Sequence, residues 1–488
     1  MENNSKTNSI TCTVIFDGSA LNRDEKIGNS ILSIKKLTYH GDIRPFISKN
    51  AIRHYLFNTL NRSDDWGKTP ILAQGSGDKQ TMQLDLTKAD IISFEELAVF
   101  GYMFTKSGEG ALTRKSPLGI TKAMALSNYN QDLAFYANHD FVSRMREDGK
   151  KANPNPINKE EHSGLFKLTF TLDADMIGKD SWIVDDYSFE KGNGILNIKI
   201  AEPQIFVFGN CTENLDAEGN FIGYEITESN KTVQILVDGL KVVIDKNIIQ
   251  KSKDSLGFKS DFASDRKKNN KDKFETKFSF KIAPDKYEQL DSGNYSFECT
   301  FEPLYDDENK TLTLLSGHEK KISDINCDKY NKGLVKNTFI FNGDNYSGCQ
   351  IIATSFNESK PEKGPFKVEF ILSEKKKRQI MSQLLFVIKN GLLAQSSNEL
   401  NTIKPLFILA GDVKVPMPVF HADIDVRKED EELKVIGVID AINNGWLLGN
   451  IYLQCNERLS LIRPNDNRIK DNWDDFLKAV NLPDPSKQ

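Results

Sequence analysis

The sequence lacks the features that mark most secreted, membrane and metal-dependent proteins. No stretch approaches the roughly 18 apolar residues of a membrane span, and segment 1–9 is polar, without the apolar core of a signal peptide. The six cysteines are dispersed without a Cys-x-x-Cys pair, and the six histidines show no HxxxH or HExxH spacing. These absences predict a reduced, cytoplasmic protein without disulfides, bound metal, cofactor or membrane partner.

An excess of positive charge is also missing. The chain has 64 Lys and Arg residues against 69 Asp and Glu residues, which gives a formal net charge of -5. This balance argues against a uniformly basic coat for nucleic acid, so a polyanion would have to be held by a local group of cations. The 488 residues, 39% of them hydrophobic, are sufficient for two folded units.

The hydrophobic pattern divides the chain into three stretches. Residues 1–180 and 374–488 mix strand and helix patterns, whereas 181–373 contains short alternating runs separated by turns rich in Gly, Asn and Asp. The middle pattern is typical of all-β structure. We therefore predict an α+β protein, in which a modified RRM-like or ferredoxin-like core is interrupted at 181–373 by an inserted β-sandwich-like domain.

Several elements are predicted locally. Alternation predicts a first strand over 10–16, followed by a loop over 17–29, and another strand over 165–172. Ser48 is a plausible N-cap for a helix over 48–60. In the last stretch, helical spacing over 380–392 ends near Gly391, strands are predicted at 406–410, 413–420 and 433–439, and a final amphipathic helix contains Trp473.

Four strings carry a family resemblance: ITCTVIFDGSALNRDEKIGNSILSIKKLTYHG (10–41), FISKNAIRHYL (46–56), FGYMFTKSGEGALTRKSPLGITKAMAL (100–126) and NPNPINKEEHSGLFKLTFTLDADMIG (153–178). Together they resemble the DevR-like backbone subunit (Cas seven group) of the type I-B CRISPR Cascade effector complex. The run 375–412 is similar to that family's following helix and loop. The resemblance covers roughly 10–180 and 374–480, and the long middle stretch departs from the usual, shorter family member.

The resemblance implies a role as well as a fold. Members of this family have a modified RRM fold, polymerise along a guide RNA, and kink the RNA at regular intervals with a thumb-like hairpin. The partners implied for this chain are CRISPR guide RNA, target DNA, other copies of itself and other Cascade subunits.

The predicted helix at 48–60 has an N-terminal end suited to a phosphate. Lys49 and Arg53 are spaced i, i+4, so both project from one helical face. Ser48 and Asn50 add neutral donors, Arg44 lies just upstream, and the helix end itself supplies free amides and a positive dipole. Spacing alone also fits a capped, solvated helix face. The resemblance implies that this position contacts guide RNA.

Two further segments are candidates for RNA contact. Lys106, Arg114 and Lys115 flank a glycine-containing loop in which backbone amides could approach a phosphate closely. The alternative is an ordinary hairpin tip. His162 and Ser163 open a predicted strand, at the place where the family's Ser-Gly turn approaches the RNA. As a lone histidine at a strand edge, His162 would otherwise be structural.

Segment 393–404 occupies the place of the family's thumb. Its polar residues Gln395, Ser396, Ser397, Asn398 and Asn401 could donate to phosphates and sugars without reading bases. Sequence reading would then be left to pairing between guide and target. The alternative is an ordinary polar loop.

No catalytic residue is predicted. Related type III backbone subunits cut target RNA with an aspartate in the loop after the first strand, and the equivalent position here lies near Ile31, which cannot serve as acid, base or metal ligand. Asp17, Asp24 and Asp42 lie in the vicinity, and no GxSxG or P-loop motif is present. We expect a protein that is not an enzyme. A metal-dependent, guide-directed endoribonuclease and an RNA- or DNA-binding regulator are the alternatives.

Overall fold

The computed structural model describes residues 7–27, 31–74, 81–105, 111–151, 153–154, 156–200, 205–208, 211–228, 231–236, 241–244, 249–252, 255–260, 263–265, 278–282, 287–298, 301–306, 311–316, 319–343, 346–396 and 399–485. They form a mixed α/β structure that is rich in strands and contains several sheets. The helices are α1 Lys49–Ser63, α2 Glu95–Phe100, α3 His139–Glu147, α4 Ala174–Ile177, α5 Glu374–Asn390, α6 Val438–Ile442 and α7 Trp473–Ala479.

A nine-stranded sheet forms the centre of the described structure. Its strands are β1 Ser9–Ser19, β2 Lys36–Tyr39, β3 Asp42–Ile47, β4 Leu118–Ile120, β5 Ala123–Ala125, β6 Ser163–Leu172, β7 Pro405–Val413, β8 Leu447–Cys455 and β9 Ile469–Lys470. The spatial order is β2-β3-β5-β6-β1-β7-β8-β9, and β4 also pairs with β6. Strand β1 is antiparallel to both β6 and β7, so strands from both ends of the chain meet at the middle of this sheet.

The remaining strands form smaller sheets and hairpins. The sheets of four to six strands are, in spatial order, Leu133–Tyr136, Ile157–Glu160, Ile31–Ile34 and Arg23–Ile27; Lys179–Val184, Phe366–Ile371, Gln350–Ser355, Lys336–Phe341 and Ile325–Asn326; Ala263–Asp265, Ile205–Phe208, Thr311–Ser316 and Phe301–Asp306; and Cys211–Leu215, Phe221–Glu228, Lys231–Leu236, Lys241–Ile244, Tyr295–Glu298 and Tyr287–Gln289. The three-stranded sheets are Asp186–Glu190, Ile195–Lys199 and Glu319–Ile322; Ile249–Ser252, Ser255–Ser260 and Phe278–Ile282; and Asp425–Glu429, Glu432–Ile436 and Ser460–Leu461. The two-stranded hairpins are Ile71–Gln74 with Thr81–Leu84, Tyr102–Thr105 with Ala111–Arg114, and Leu392–Ser396 with Glu399–Ile403.

Both faces of the central sheet are covered by apolar side chains. Cys12, Val14 and Phe16 of β1 point into the large core cluster that also contains the apolar faces of α1 and α5. Ile15, on the opposite face, belongs to a second cluster that includes residues of α6 and of the segment 419–424. The two-residue alternation of β1 thus places successive side chains in different cores.

The predicted helix at 48–60 is confirmed. Ser48 caps it, because its hydroxyl accepts a hydrogen bond from the Ala51 amide at 3.3 Å. Ile52, Leu56 and Leu60 form its buried stripe. The helix predicted over 380–392 is also confirmed as α5, which begins earlier, at Glu374, and is followed by a glycine with the positive φ expected after a helix.

Some local predictions are wrong in their bounds. The loop predicted at 17–29 instead contains the end of β1 and the strand Arg23–Ile27, because Ser19 still pairs with Ser163 across the sheet. Segment 413–420 is largely not a strand, since Pro416 and Pro418 cannot donate to a β-ladder. The strand predicted at 433–439 ends at Ile436, where Gly437 has a φ of 82° and leads into α6.

All the described elements between residues 179 and 371 are strands, as the pattern predicts. The strands nearest the core share its hydrophobic cluster, to which Trp182, Phe339 and Phe370 contribute. A buried ion pair also joins the two regions, since Lys320 Nζ lies 2.9 Å from Asp90 Oδ2 and both side chains are at most 3% exposed. Their organisation as a separate sandwich domain stays a prediction, as do the domain bounds.

No helix in the described part of the chain is long and apolar enough to cross a membrane. The five cysteines that the structure describes are all free thiols, the groups predicted from their dispersed spacing. Four of them are buried.

Candidate nucleic-acid interface

The end of β1 brings distant polar segments together. The Ser19 hydroxyl lies 2.8 Å from the Ser163 hydroxyl at the start of β6. The Ala20 amide donates to the His162 carbonyl oxygen at 2.9 Å. The predicted RNA-contacting turn at 162–163 is therefore adjacent to the end of the first strand.

The thumb-like segment forms a hairpin that is anchored at the same place. Its strands are Leu392–Ser396 and Glu399–Ile403, and Asn401 is hydrogen-bonded to the Ser19 backbone. A Cβ atom added to Gly18 would lie 2.7 Å from Asn401 Oδ1, so glycine is needed for this close approach. Gln395 is exposed and Ser396 is half-buried. The predicted contacts Ser397 and Asn398 lie outside the described residues.

The N-terminus of α1 is linked to this region through Asn22. The Asn22 side-chain oxygen accepts a hydrogen bond from the Ser48 amide at 2.9 Å. Lys49 and Asn50 are exposed beside this cap. The helix end, the 162–163 turn and the hairpin at 392–403 thus all contact the short segment 19–22.

Arg53 is only partly available for a ligand. Its side chain is 40% exposed, its NH2 group lies 3.1 Å from Glu96 Oε1, and its guanidinium carbon lies 4.6 Å from the centre of the Phe100 ring. Glu96 also accepts a hydrogen bond from the Thr69 amide. Arg53 therefore ties α1 to α2 and retains an exposed part.

Arg44 and His162 are less exposed than the sequence suggested. The Arg44 guanidinium lies 5.2 Å from the Tyr39 ring, and its Nε atom is buried without a hydrogen-bond partner among the described residues. His162 Nε2 is likewise buried and unpartnered there, and its ring packs edge-on against Phe166. Burial lowers the pKa of His162, which favours the neutral ring.

The prediction that Arg114 lies on a surface loop is wrong. Arg114 is 7% exposed, and its guanidinium donates to the carbonyl oxygens of Leu97, Met176 and Lys179. It also lies 3.8 Å from the buried carboxylate of Asp180. Each of its three guanidinium nitrogens thus donates a hydrogen bond inside the protein, so Arg114 has a structural role in place of a solvent-facing one.

The other two cations of that segment have different outcomes. Lys115, the next residue, is exposed. Lys106 lies outside the described residues, between the paired strands Tyr102–Thr105 and Ala111–Arg114. The two strands on either side of it are paired antiparallel.

A group of cations lies beside the hairpin, and two of them, Arg23 and Lys159, are not candidates from the sequence. Arg23 NH2 lies 3.1 Å from Glu161 Oε1 and 3.7 Å from Glu399 Oε2, and Lys159 Nζ also lies 3.7 Å from Glu399 Oε2. Lys36 Nζ lies 2.7 Å from a carboxylate oxygen of the neighbouring Glu160. These residues come from three segments, 23–36, 159–161 and 399, which are more than 100 positions apart, so no local motif could have united them.

Glu160 is held ionised within this group. Burial alone would raise its pKa, but hydrogen bonds from Lys36 and from the Ile34 amide outweigh burial and lower the pKa below its usual value. The carboxylate therefore fixes Lys36, whose ammonium also lies 4.3 Å from the Tyr129 ring. Lys36 is a structural cation at the edge of the candidate surface.

The carboxylates near the first strand do not form a metal centre in the described structure. Asp17 is paired with Arg458 at 2.5 Å, and Asp24 is paired with Lys35 at 2.9 Å. Among the described side chains, no group of three or more His, Cys, Asp and Glu residues is placed to hold a metal ion. The surface instead combines hydroxyls, amides and cations, which suit phosphate and sugar oxygens.

One protein-family model matches most of the chain. The model of the family described as "CRISPR-associated negative auto-regulator DevR/Csa2" matches residues 10–432. The chain belongs to the DevR/Csa2 family. This membership confirms the resemblance carried by the strings at 10–41, 46–56, 100–126 and 153–178. The match also spans the long middle stretch of this DevR/Csa2 protein.

Solved structures give more distant similarities to this DevR/Csa2 protein. A chain of a structure named "CRISPR RNA-guided surveillance complex, pre-nicking" aligns with a TM-score of 0.25 and 10% identity, over 35% of this chain and 65% of that chain. A chain of a "CRISPR RNA-guided surveillance complex" aligns with a TM-score of 0.23 and 13% identity, over 35% and 51% of the respective chains. The alignment thus spans less than two thirds of either neighbour. No protein with a curated description matches the sequence.

Proposed function

We propose that this DevR/Csa2 family member is a non-catalytic, multi-copy subunit of a CRISPR interference complex. It binds guide RNA along the phosphate backbone, divides the RNA into segments, and supports pairing with target DNA. The observation that carries this proposal is the convergence of the α1 N-terminus, the 162–163 turn and the hairpin at 392–403 on residues 19–22.

The proposed fold is a modified RRM-like core interrupted by an inserted all-β domain over 181–373. Two observations support it. Strand β1 pairs on one side with β6, before the middle stretch, and on the other with β7, after it. The described elements between these two flanking strands are predominantly β beyond residue 179. The insertion would then leave the order of the central sheet intact.

The arrangement suits contacts that position RNA without reading it. Ser19, Ser163 and the exposed Asn50 supply neutral donors, while Lys49 supplies charge beside the free amides of the α1 N-terminus. Such groups meet phosphates and sugars, which carry no sequence information. The hairpin at 392–403 is attached to the same strand end, where it would separate one RNA segment from the next. Base edges would stay free for a target strand.

The proposal includes the absence of catalysis. Ile31, near the position that would correspond to the cleaving aspartate of type III backbone subunits, opens a strand and has an inert side chain. Asp17 and Asp24 are each ion-paired with a basic side chain. A carboxylate that is already paired with a cation is less available to bind a metal ion, and a metal site needs several oxygen ligands around one point. Other copies of this chain, other Cascade subunits and target DNA are the proposed partners, in the cytoplasm.

Binding to unrelated single-stranded RNAs tests the proposal. We expect similar affinities for different sequences and a strong decrease in affinity with salt. Replacing the exposed Lys49 by Gln should lower the affinity and reduce the salt slope by about one unit. The matched control Lys360→Gln changes an exposed lysine in the middle stretch and should alter neither quantity.

Two outcomes would contradict the proposal. The family description includes negative auto-regulation, so tight binding to a duplex operator without guide RNA would favour a regulator. Regular cuts in complementary RNA, made by the assembled complex in the presence of magnesium, would identify an endoribonuclease instead.

A further inference from the structure

The hairpin at 392–403 places a carboxylate between two cations of another sheet. Glu399 Oε2 lies 3.7 Å from Arg23 NH2 and 3.7 Å from Lys159 Nζ. The Arg23 and Lys159 side chains are 18% and 24% exposed, and Glu399 is 37% exposed. Glu399 is thus the outer, more accessible member of the group.

Both contacts of Glu399 are ion pairs too long for hydrogen bonds. A charge-assisted N–H···O hydrogen bond is about 2.7–2.9 Å long. The carboxylate at 3.7 Å therefore sits near both cations without engaging either in an optimal geometry. An exposed ion pair of this kind is weak and is screened by salt.

The two cations are held in place independently of Glu399. Arg23 NH2 donates to Glu161 Oε1 at 3.1 Å, and Arg23 NH1 donates to the Glu160 carbonyl oxygen. Lys159 lies over the Tyr136 ring, with its Nζ atom 4.4 Å from the ring centre. The positive pair therefore stays assembled when the carboxylate of Glu399 moves away.

We propose that Arg23 and Lys159 form a subsite for a backbone phosphate of RNA, and that Glu399 occupies this subsite in the free protein. The inference rests on the proposed RNA-binding function and adds a competing internal anion to it. A carboxylate and a backbone phosphate each carry one negative charge and can each accept two parallel hydrogen bonds from a guanidinium, so a phosphate can replace the carboxylate at this site. RNA would displace Glu399 and take over both cations.

The position of Glu399 on the hairpin suits this exchange. Glu399 pairs with Ser396 at the end of the hairpin, whereas Asn401, two residues further along, is fixed to Ser19. Among the described contacts, Asn401 thus anchors the hairpin, and the weak ion pairs of Glu399 lie nearer its end. Displacement of Glu399 needs movement of one partly exposed side chain, with the anchoring hydrogen bonds intact.

Two charge-neutralising variants distinguish the displacement of Glu399 by RNA from a general effect of removing negative charge. Glu399→Gln and Glu161→Gln each remove one negative charge beside the same guanidinium. We expect Glu399→Gln to bind single-stranded RNA about two- to fivefold more tightly, the value of one exposed ion pair. Glu161→Gln should bind no more tightly than the wild type, because Arg23 loses the carboxylate that orients it. Equal gains in both variants, or no gain in Glu399→Gln, would overturn the proposal.

A second measurement does not require RNA. Inorganic tripolyphosphate added to the full-length protein should accelerate amide hydrogen exchange at Glu399 and Leu400, which lie beyond the Asn401 anchor toward the end of the hairpin, and Arg23→Gln with Lys159→Gln should abolish this response. An unchanged exchange rate in the wild type would overturn the subsite. Failure to bind RNA together with a clear tripolyphosphate response would reject the proposed function and keep the subsite.

Discussion

The Asn401 side chain pairs with both backbone groups of Ser19. Its Nδ2 atom donates to the Ser19 carbonyl oxygen at 2.6 Å, and its Oδ1 atom accepts from the Ser19 amide at 2.9 Å. These residues are 382 positions apart in the chain. One amide side chain thus extends the ladder of β1 and fastens the hairpin at 392–403 to it.

Replacing Asn401 by Ala should loosen the hairpin. Asn401 is 9% exposed, and its loss leaves both Ser19 backbone groups without these partners. We expect the free energy of unfolding, measured with urea, to fall by about 1–3 kcal/mol. RNA affinity should also fall, because the hairpin would no longer be held in one position.

Asn337→Ala is the matched control for Asn401. Asn337 is 2% exposed and donates to the Tyr187 hydroxyl at 2.8 Å and to the Asn331 carbonyl oxygen at 3.0 Å, all within the middle stretch. Its loss should destabilise the protein similarly and leave RNA affinity unchanged. Equal effects of both variants on RNA affinity would show that the hairpin anchor has no special role.

The neighbours Arg114 and Lys115 should respond differently to mutation. Arg114→Gln leaves Asp180 buried without its cation, so we expect a loss of about 3–5 kcal/mol in the free energy of unfolding. Lys115→Gln changes an exposed side chain, so stability should stay within about 0.5 kcal/mol. Denaturation of both variants in urea checks this, and a stable Arg114→Gln protein would refute the structural role.

The outer part of the middle stretch should be removable. Lys199 and Glu319 lie opposite each other in an antiparallel pair. Replacing 201–318 by Asn-Gly leaves a three-residue loop, Ile200-Asn-Gly, between them, a length common in hairpins with glycine at the last position. We expect a soluble, cooperatively folded protein that still binds RNA.

Removal of the whole stretch 185–370 should fail by comparison. That deletion takes away Lys320, the buried partner of Asp90, together with Phe339 and Phe366 of the shared core. The product should be insoluble or unfolded by circular dichroism. A stable core after the larger deletion would mean that the whole insertion folds independently.

His421 should make stability depend on pH. Burial, aided by the positive charge of Lys167, lowers its pKa from 6.5 to about 4, and its Nδ1 atom lies 2.8 Å from the Thr169 hydroxyl. The unfolded chain therefore takes up a proton on this ring below about pH 6.5, before the folded protein does. The stabilising contribution is present above that pH and is lost as the pH falls toward 4.

Comparison of urea denaturation at pH 7.5 and 5.5 measures this effect. The wild type should lose more stability between these values than His421→Gln, which has no ring to protonate. An identical loss in the two proteins would show that His421 is already accessible to protons in the folded state.

The local elements of this structure can be predicted from the sequence. The alternation at 10–16 and the capping hydroxyl of Ser48 act through neighbours only a few residues away, so the pattern predicts β1 and α1 directly. Strand β8 was not predicted, because Gly449 and Asn450 interrupt its apolar alternation. Its pairing with β7 decides its conformation instead.

The candidate site depends on contacts that no local pattern records. Arg114 looks like a loop cation in sequence, and only the fold shows that it is enclosed by three carbonyl oxygens. Arg23, Lys159 and Glu399 come together from three separate strands. The resemblance predicts that the helix end and the hairpin contact RNA, but it does not predict the charged residues between them.

Extraction of nucleic acid from the natively isolated complex tests most directly whether this protein holds guide RNA. The RNA should co-purify in one discrete guide length, and its recovery should fall when Asn401→Ala replaces the wild-type chain. Recovery of no RNA, or of RNA without a defined length, would contradict the proposed function.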